Sequence, residues 1–174
     1  TSNLTAIITV ADDGGSSGRL RKDLNILPPG DIRACISALA SAEPLMTELF
    51  EYRFETKNEE LSGHSLGNLL IAGMAEVTGS MENGIEAISR VLDVKGRILP
   101  ATLEDINISA DLDNGKSVEG ESNIGNQHES IKQLSIEPAN PVAYHEAVQA
   151  IQEADAVIIG PGSLFTSIIP NLLI

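Results

Sequence analysis

Residues 11–19 (ADDGGSSGR) combine the residue types that bind a phosphate group. The glycines allow the backbone to approach a ligand closely, the serine hydroxyls donate hydrogen bonds, and the arginine offers paired N–H groups to phosphate oxygens. The candidate ligand-binding residues in this stretch are Gly14, Gly15, Ser16, Ser17 and Arg19. The composition therefore predicts a site for a small phosphorylated anion such as a diphosphate.

Two aspartates precede these glycines and have the chemistry of metal ligands. Asp12 and Asp13 carry hard oxygen donors, which suit a Mg²⁺ ion that is shared with a diphosphate. We therefore predict Mg²⁺ as a cofactor held by these two residues. The spacing fits equally well a flexible turn in which the aspartates cap backbone amides, and the residues alone leave both interpretations open.

A second glycine turn lies at residues 160–167 (GPGSLFTS), directly after an apolar run. A strand, a glycine turn and a helix start together present free backbone N–H groups and the positive end of a helix dipole to an anion. We predict that Gly160, Gly162 and Ser163 bind the ligand. The turn lacks the lysine of a P-loop and does not match GxGxxG, and the alternative is a tight connection with Ser163 as an ordinary N-cap.

A third candidate is the string HSLGN, which opens a predicted helix with polar side chains. Gly67 in this string costs about 1 kcal/mol of helix stability unless a close approach requires it. His64 and Asn68 are therefore candidate ligand-binding residues, and capping with helix–helix packing is the alternative. Cys35 is expected in the core, because no base that could activate it is visible.

The charge of the chain is acidic overall but locally basic. Its 174 residues include 11 Lys+Arg and 25 Asp+Glu, which gives a net charge of −14. A basic cluster near the start consists of Arg19, Arg21, Lys22 and Arg33. Such a cluster can attract a small anion while the overall field repels polyanions, which makes Arg33 a further candidate. A solvated helix face is the alternative.

Composition excludes several functional classes. An acidic chain with no Trp, 2 Tyr and 3 Phe has neither the charge nor the stacking surface to bind nucleic acid. No apolar run of about 18 residues is present, so membrane insertion is not expected. One cysteine excludes an internal disulfide framework, and no signal region is visible, so we expect a cytoplasmic protein.

An α/β framework must position these candidates. Residues 4–10 and 156–159 have the pattern of buried strands, and each run leads into one of the glycine turns. Helical spacing covers residues 32–42, 45–54, 64–77, 81–94 and 141–153. Asn114-Gly115 between two alternating runs predicts a β-hairpin. In such layered folds ligands bind beyond the carboxyl ends of the strands, which is where both turns lie.

Six strings together carry a resemblance to a known family: VADDGGSSGRLRKDL, PPGDIR, LSGHSLGNLL, SRVLDVKGRILPAT, EGESNI and IIGPGSLFTSIIPNLL. They resemble the YvcK family of bacterial gluconeogenesis factors, within the CofD-like superfamily, over essentially the whole chain. The resemblance implies an α/β fold, namely a Rossmann-like layered domain with a mainly parallel sheet flanked by helices and a β-hairpin insertion.

The resemblance also implies a ligand and a role. It implies binding of a uridine-diphosphate sugar such as UDP-N-acetylglucosamine, and a regulatory role in cell shape and envelope synthesis during gluconeogenic growth. Envelope-synthesis proteins are the implied partners, and a homo-oligomer is compatible with the family. Asn171 matches a family position in the nucleotide-sugar pocket. In the enzyme branch of the superfamily, an aspartate-bearing loop after the second strand is associated with a divalent metal, and this resemblance points to Asp12 and Asp13.

The enzyme branch of the superfamily supplies the alternative function. These 2-phospho-L-lactate transferases use a guanylyl-activated donor, and the chain resembles them more distantly, so we expect a binding protein rather than an enzyme and assign no catalytic residue. The family pattern begins with a strand and a GGGTG loop that are not found before Thr1, and it continues beyond Ile174. Residues 1–174 are therefore expected to form one incomplete CofD-like domain.

Overall fold

Two short parallel strands, one from each half of the chain, pair with each other. The computed structural model in which they are seen describes residues 3–57 and 60–174. β1 (Thr5–Ile8) is the apolar run predicted from the sequence, and it pairs with β2 (Arg97–Pro100). Parallel pairing requires a long crossover. Five helices make this crossover: α1 (Gly15–Leu24), α2 (Gly30–Leu39), α3 (Pro44–Glu51), α4 (Leu66–Thr78) and α5 (Met81–Val91).

The boundary between α4 and α5 is set by local capping chemistry. Ser65 and Ser80 are the N-cap residues, and each hydroxyl accepts a hydrogen bond from the backbone N–H three residues later. Gly79 ends α4 with a φ of +85°, a conformation that favours glycine. A Cβ atom on Gly84 would lie 2.6 Å from the backbone nitrogen of Ala75, so the two helices pack with their backbones in close approach.

An antiparallel sheet occupies the middle of the chain. Its strands are β3 (Asn107–Leu112), β4 (Ser117–Glu119) and β5 (Ile131–Glu137), in the order β4–β3–β5. The predicted hairpin is confirmed, because β3 and β4 pair antiparallel around a turn in which Gly115 has a φ of +81°. A short helix, α6 (Glu121–Gly125), follows β4, and its first turn contacts Asp13 in the loop that follows β1.

The end of the chain differs from the prediction in one respect. Helix α7 (His145–Gln152) and a π-helix (Leu164–Ile168) that continues into α8 (Ile169–Leu172) confirm the predicted helical segments. The predicted strand at residues 156–159 is wrong. This run is irregular, and Ile158 is 88 % exposed. A β-branched run becomes a buried strand only where a neighbouring strand pairs with it, and no described strand does so here.

The apolar core confirms the α/β class. The main core lies between the strand pair, α2, α4, α5 and the antiparallel sheet, and its largest side chains include Ile32, Phe50, Ile71 and Ile106. A second, smaller cluster of Leu99, Tyr144 and Ala147 covers the opposite face of the parallel pair. Among the described residues, no helix has the length and apolar character needed to cross a membrane.

Candidate functional site

The first candidate stretch is a helix start rather than a loop. Helix α1 begins at Gly15, whose φ of +46° is a conformation that favours glycine. The Gly18 N–H donates to the carbonyl of Gly14 at 2.9 Å and closes the first turn. Backbone N–H groups in the first turn of a helix lack partners within that helix, so this turn presents them at its end. The predicted anion-binding geometry is therefore that of a helix N-terminus.

The two serines of this turn tie α1 to its neighbours. Ser16 is buried, and its Oγ lies 2.9 Å from Nδ1 of His64 and 3.1 Å from Nδ2 of Asn68. The Oγ atom of Ser17 accepts a hydrogen bond of 2.7 Å from the backbone N–H of Gly30 at the start of α2. The predicted site residues Ser16, His64 and Asn68 thus form one buried polar cluster. Inside it, Oδ1 of Asn68 has no hydrogen-bond partner among the described residues.

Asp12 and Asp13 each accept a backbone hydrogen bond. Oδ1 of Asp12 accepts from the N–H of Gly14 at 2.9 Å, and Oδ1 of Asp13 accepts from the N–H of Ser122 at 2.9 Å. Asp13 therefore caps α6 from a distant part of the chain. Both contacts match the capping interpretation, while the second carboxylate oxygen of each residue makes no such backbone bond with a described residue.

Two further carboxylates lie beside these aspartates. Asp31 is an exposed residue, but nearby protein atoms desolvate its carboxyl group, and this desolvation together with the charges of Asp12 and Glu121 raises the pKa of Asp31 to about 6. Arg33 acts in the opposite direction. Burial also raises the pKa of Glu121, a hydrogen bond from Thr166 lowers it, and the two loop aspartates raise it further. The four carboxylates repel one another, so a cation bound among them would be stabilised.

The metal-binding capacity of this place is limited. Among residues 3–57 and 60–174, no group of three or more His, Cys, Asp or Glu side chains could hold a metal ion. Mg²⁺ does not need such a cage, since it commonly binds one or two carboxylates together with phosphate oxygens and waters. Asp12 and Asp13 each have one oxygen that accepts a backbone N–H. They therefore fit a Mg²⁺ ion that is shared with phosphate oxygens and waters, and they do not fit a cage made of protein side chains alone.

The second glycine turn leads into the π-helix that contacts α6. Gly160 has a φ of +94°, and Ser163 is the N-cap whose Oγ accepts from the Thr166 N–H at 3.4 Å. Thr166 is buried and donates to Glu121, which lies beside the loop aspartates. Nδ2 of Asn171 donates to the carbonyl of Ser167 at 3.0 Å, one turn earlier. The structure thus connects the two candidate turns through α6.

Arg19 and Arg33 border the polar cluster on two sides. A guanidinium N–H of Arg19 donates to the carbonyl of Ser62 at 2.6 Å, next to His64. Arg33 pairs with Glu51, and its methylene groups lie against Gly67, where a Cβ atom would be 2.9 Å away. This close approach accounts for the glycine inside α4. Burial and then Arg19 lower the pKa of His64.

Residue-by-residue reasoning missed three members of this arrangement. Asp31, Glu121 and Ser122 were not selected, although each lies within a string that carries the family resemblance, whereas Thr166 lies within the predicted second glycine turn. Their role depends on contacts between segments about one hundred residues apart, such as that between Asp13 and Ser122. Spacing along the chain contains no signal for such contacts.

Comparison with known proteins gives consistent matches. The whole chain, residues 1–174, matches the family of 2-phospho-L-lactate transferase CofD. It is 51 % identical to the gluconeogenesis factor of Halalkalibacterium halodurans and 48 % identical to that of Bacillus subtilis, covering 99 % of this chain in both cases and 53 % and 54 % of the relatives. The chain therefore spans about half the length of these relatives.

Solved structures agree with the sequence matches. A crystal structure of a UPF0052 family protein from Bacillus halodurans superposes with a TM-score of 0.91 at 50 % identity, covering 98 % of this chain and 55 % of that one. A second crystal structure from that organism gives a TM-score of 0.94 at 50 % identity, covering 99 % and 55 %. The resemblance stated from the sequence is confirmed.

Proposed function

The chain belongs to the CofD family, and on this premise we propose that it is part of a regulatory protein that binds a uridine-diphosphate sugar such as UDP-N-acetylglucosamine. One observation carries the proposal. The N-terminus of α1, the loop aspartates and the first turn of the π-helix are linked in a single region through Glu121 and Ser122. A helix N-terminus and a second glycine turn on one side of the molecule suit a diphosphate.

The diphosphate would lie between the two turns. First-turn amides of α1, with Gly14, Gly15 and Ser17, would meet one phosphate, and Gly160, Gly162 and Ser163 the other. Arg19 would add charge from the side of Ser62, which already accepts from its guanidinium. When bound, Mg²⁺ would neutralise the diphosphate from Asp12 and Asp13, and it would relieve the repulsion among the carboxylates.

The remaining candidates would act around this contact. His64 and Asn68 hold the hydroxyl of Ser16 and so fix the position of the helix start. Arg33 and Asn171 would border the uridine or sugar part of the ligand. Asn171 has a buried Oδ1 atom that finds no partner in the part of the chain that the structure describes, and a ligand N–H or O–H group could donate to it.

The direct test is calorimetric titration of UDP-N-acetylglucosamine into the full-length protein with Mg²⁺ present. The double variant Arg19→Ala/Ser163→Ala is expected to weaken binding by at least about tenfold, since it removes a charged donor and a hydroxyl. Arg90→Ala, on the exposed side of α5, is the matched control and should bind like the wild type. Equal affinity of the double variant would refute the site, and absence of binding in the wild type would refute the ligand.

For the cellular role, we propose action in the cytoplasm on cell shape and envelope synthesis during gluconeogenic growth, through contacts with envelope-synthesis proteins. The name shared by the two relatives, gluconeogenesis factor, supports the link to carbon source. A deletion strain that carries the Arg19→Ala/Ser163→Ala variant should fail to grow normally on a gluconeogenic carbon source. Normal growth of that strain would mean that the cellular role does not depend on ligand binding at this site.

A second candidate function follows from the description of the matched family, 2-phospho-L-lactate transferase. In that case Asp12 and Asp13 would place a metal ion that stabilises the charge of the leaving group. A coupled assay with a guanylyl-activated phospholactate donor and a deazaflavin acceptor tests this alternative. Product formation that depends on Asp13 would favour the enzyme, and no product in the presence of Mg²⁺ would eliminate it.

A further inference from the structure

A groove of about 850 Å³ follows the outer edge of β2, away from the glycine turns. Every residue from 96 to 100 contributes to its floor, α5 forms one wall, and Tyr144–Glu146 forms the other. Successive side chains of a strand point to opposite faces of the sheet. A groove that touches all of them in turn therefore runs along the edge of the strand, between the two helical layers.

Among the described residues, no backbone group pairs with this edge of β2. The N–H of Arg97 donates to the carbonyl of Leu4 at 2.8 Å, and that of Ala101 donates to Ile8 at 2.8 Å. In a parallel strand, the N–H and C=O groups of every second residue point to the same neighbouring strand. The N–H and C=O groups of Ile98 and the C=O group of Pro100 therefore point away from β1 and face the groove. Within the described part of the chain, β1 is the only strand that pairs with β2.

The charged side chains of the groove are mostly acidic. The acidic lining residues are Glu82, Glu86, Asp93 and Glu146, against Arg90 and Arg97. Arg97 is itself paired with Glu146 at 3.2 Å, so its charge is partly neutralised on the protein. The groove therefore favours an occupant with positive charge.

We propose that this groove binds an extended, basic segment of a partner protein, which adds to β2 as a further strand. Backbone hydrogen bonds to Ile98 and Pro100 would set its register, and its basic side chains would meet the glutamates of α5. A second copy of this chain does not fit the same place, because the edge is recessed between α5 and residues 144–146, and like-charged walls would face each other. The proposal is independent of the nucleotide-sugar site.

The test uses the full chain labelled with ¹⁵N-isoleucine and a defined probe, the blocked hexapeptide Lys-Val-Lys-Val-Lys-Val. We expect the amide signal of Ile98 to shift on titration, and the peptide Glu-Val-Glu-Val-Glu-Val to bind at least about tenfold more weakly. A third peptide, with an N-methyl group on every residue of the lysine sequence, has no backbone N–H donor on either edge, so it cannot pair as a strand and should lose binding.

A charge-reversal variant completes the test. Glu82→Lys/Glu86→Lys should weaken binding of the lysine peptide by about tenfold, while Glu48→Lys/Glu76→Lys, on α3 and α4, should leave it unchanged. An unmoved Ile98 signal overturns the proposal, and so does undiminished binding of the N-methylated peptide. Equal binding by the two double variants would also overturn it, since the attraction would then be a property of the whole acidic chain.

Discussion

The hydroxyl of Ser16 lies 2.9 Å from Nδ1 of His64, which joins the first turn of α1 to the segment just before α4. Nδ2 of Asn68 donates to the same hydroxyl at 3.1 Å. The tautomer of the imidazole decides whether the hydroxyl donates to Nδ1 or accepts from it, and either arrangement satisfies both groups. The helix start proposed to meet the diphosphate is thus fixed from inside the protein rather than by its ligand.

The first prediction concerns the stability that this cluster supplies. Ser16→Ala would leave a buried donor on Asn68 and a buried ring nitrogen of His64 without this partner, which typically costs about 1–3 kcal/mol. Urea denaturation of the purified variant measures this loss. Ser41→Ala, at an exposed position, is the control and should change the free energy of unfolding by less than about 0.5 kcal/mol. Equal stability of the two variants would contradict the cluster.

The second prediction is a pH dependence. Burial and then Arg19 lower the pKa of His64, with Arg53 in the same direction and Asp23 opposed. A histidine whose pKa is lower in the folded state stabilises the fold above its unfolded pKa of about 6.5, and this contribution is lost as the pH falls. We expect the free energy of unfolding to decrease more steeply for the wild type than for His64→Gln between pH 7 and pH 5. Urea denaturation at each pH measures this difference, and an equal loss of unfolding free energy in the two proteins would contradict the prediction.

Sequence patterns predicted the elements whose stability is local. The Gly79-Ser80 break between α4 and α5 and the Asn114-Gly115 hairpin depend on capping and turn chemistry within a few residues, and both are present. The run at 156–159 is more apolar than β1 but has no described strand beside it. A strand depends on its neighbour, and composition alone cannot supply that neighbour.

The site was predictable in its residue types and less so in its geometry. Ser16, His64 and Asn68 were selected as possible ligand contacts, and the structure brings them together as a buried cluster. Arg33 was selected for its charge, which is paired with Glu51. In each case the hydrogen-bond or ion-pair partner lies in another part of the fold. Whether the side chain is already bonded is therefore decided by tertiary packing and cannot be inferred from the neighbouring residues in the sequence.

The third prediction tests the close approach of α4 and α5. A Cβ atom on Gly84 would lie 2.6 Å from the backbone nitrogen of Ala75, so Gly84→Ala must push the helices apart and should cost at least about 2 kcal/mol. Gly73→Ala is the matched control, because it lies within α4 with no atom within 4 Å of the new methyl group. That variant should gain about 0.5–1 kcal/mol from helix propensity alone. In thermal unfolding, the melting temperature should therefore fall for Gly84→Ala and rise for Gly73→Ala.

The last prediction separates the two interpretations of Asp13. As a cap it accepts the N–H of Ser122, a contact that the amide oxygen of Asp13→Asn can keep and that Asp13→Ala removes. We therefore expect the alanine variant to lose about 1 kcal/mol in urea denaturation and the asparagine variant to lose little. A Mg²⁺ ligand needs the charge itself. We therefore expect Mg²⁺ to strengthen the proposed UDP-N-acetylglucosamine binding in the wild type but in neither variant, and EDTA to abolish this strengthening. If Asp13→Asn keeps the full Mg²⁺ effect, Asp13 is a cap alone, and the metal would have to be assigned elsewhere.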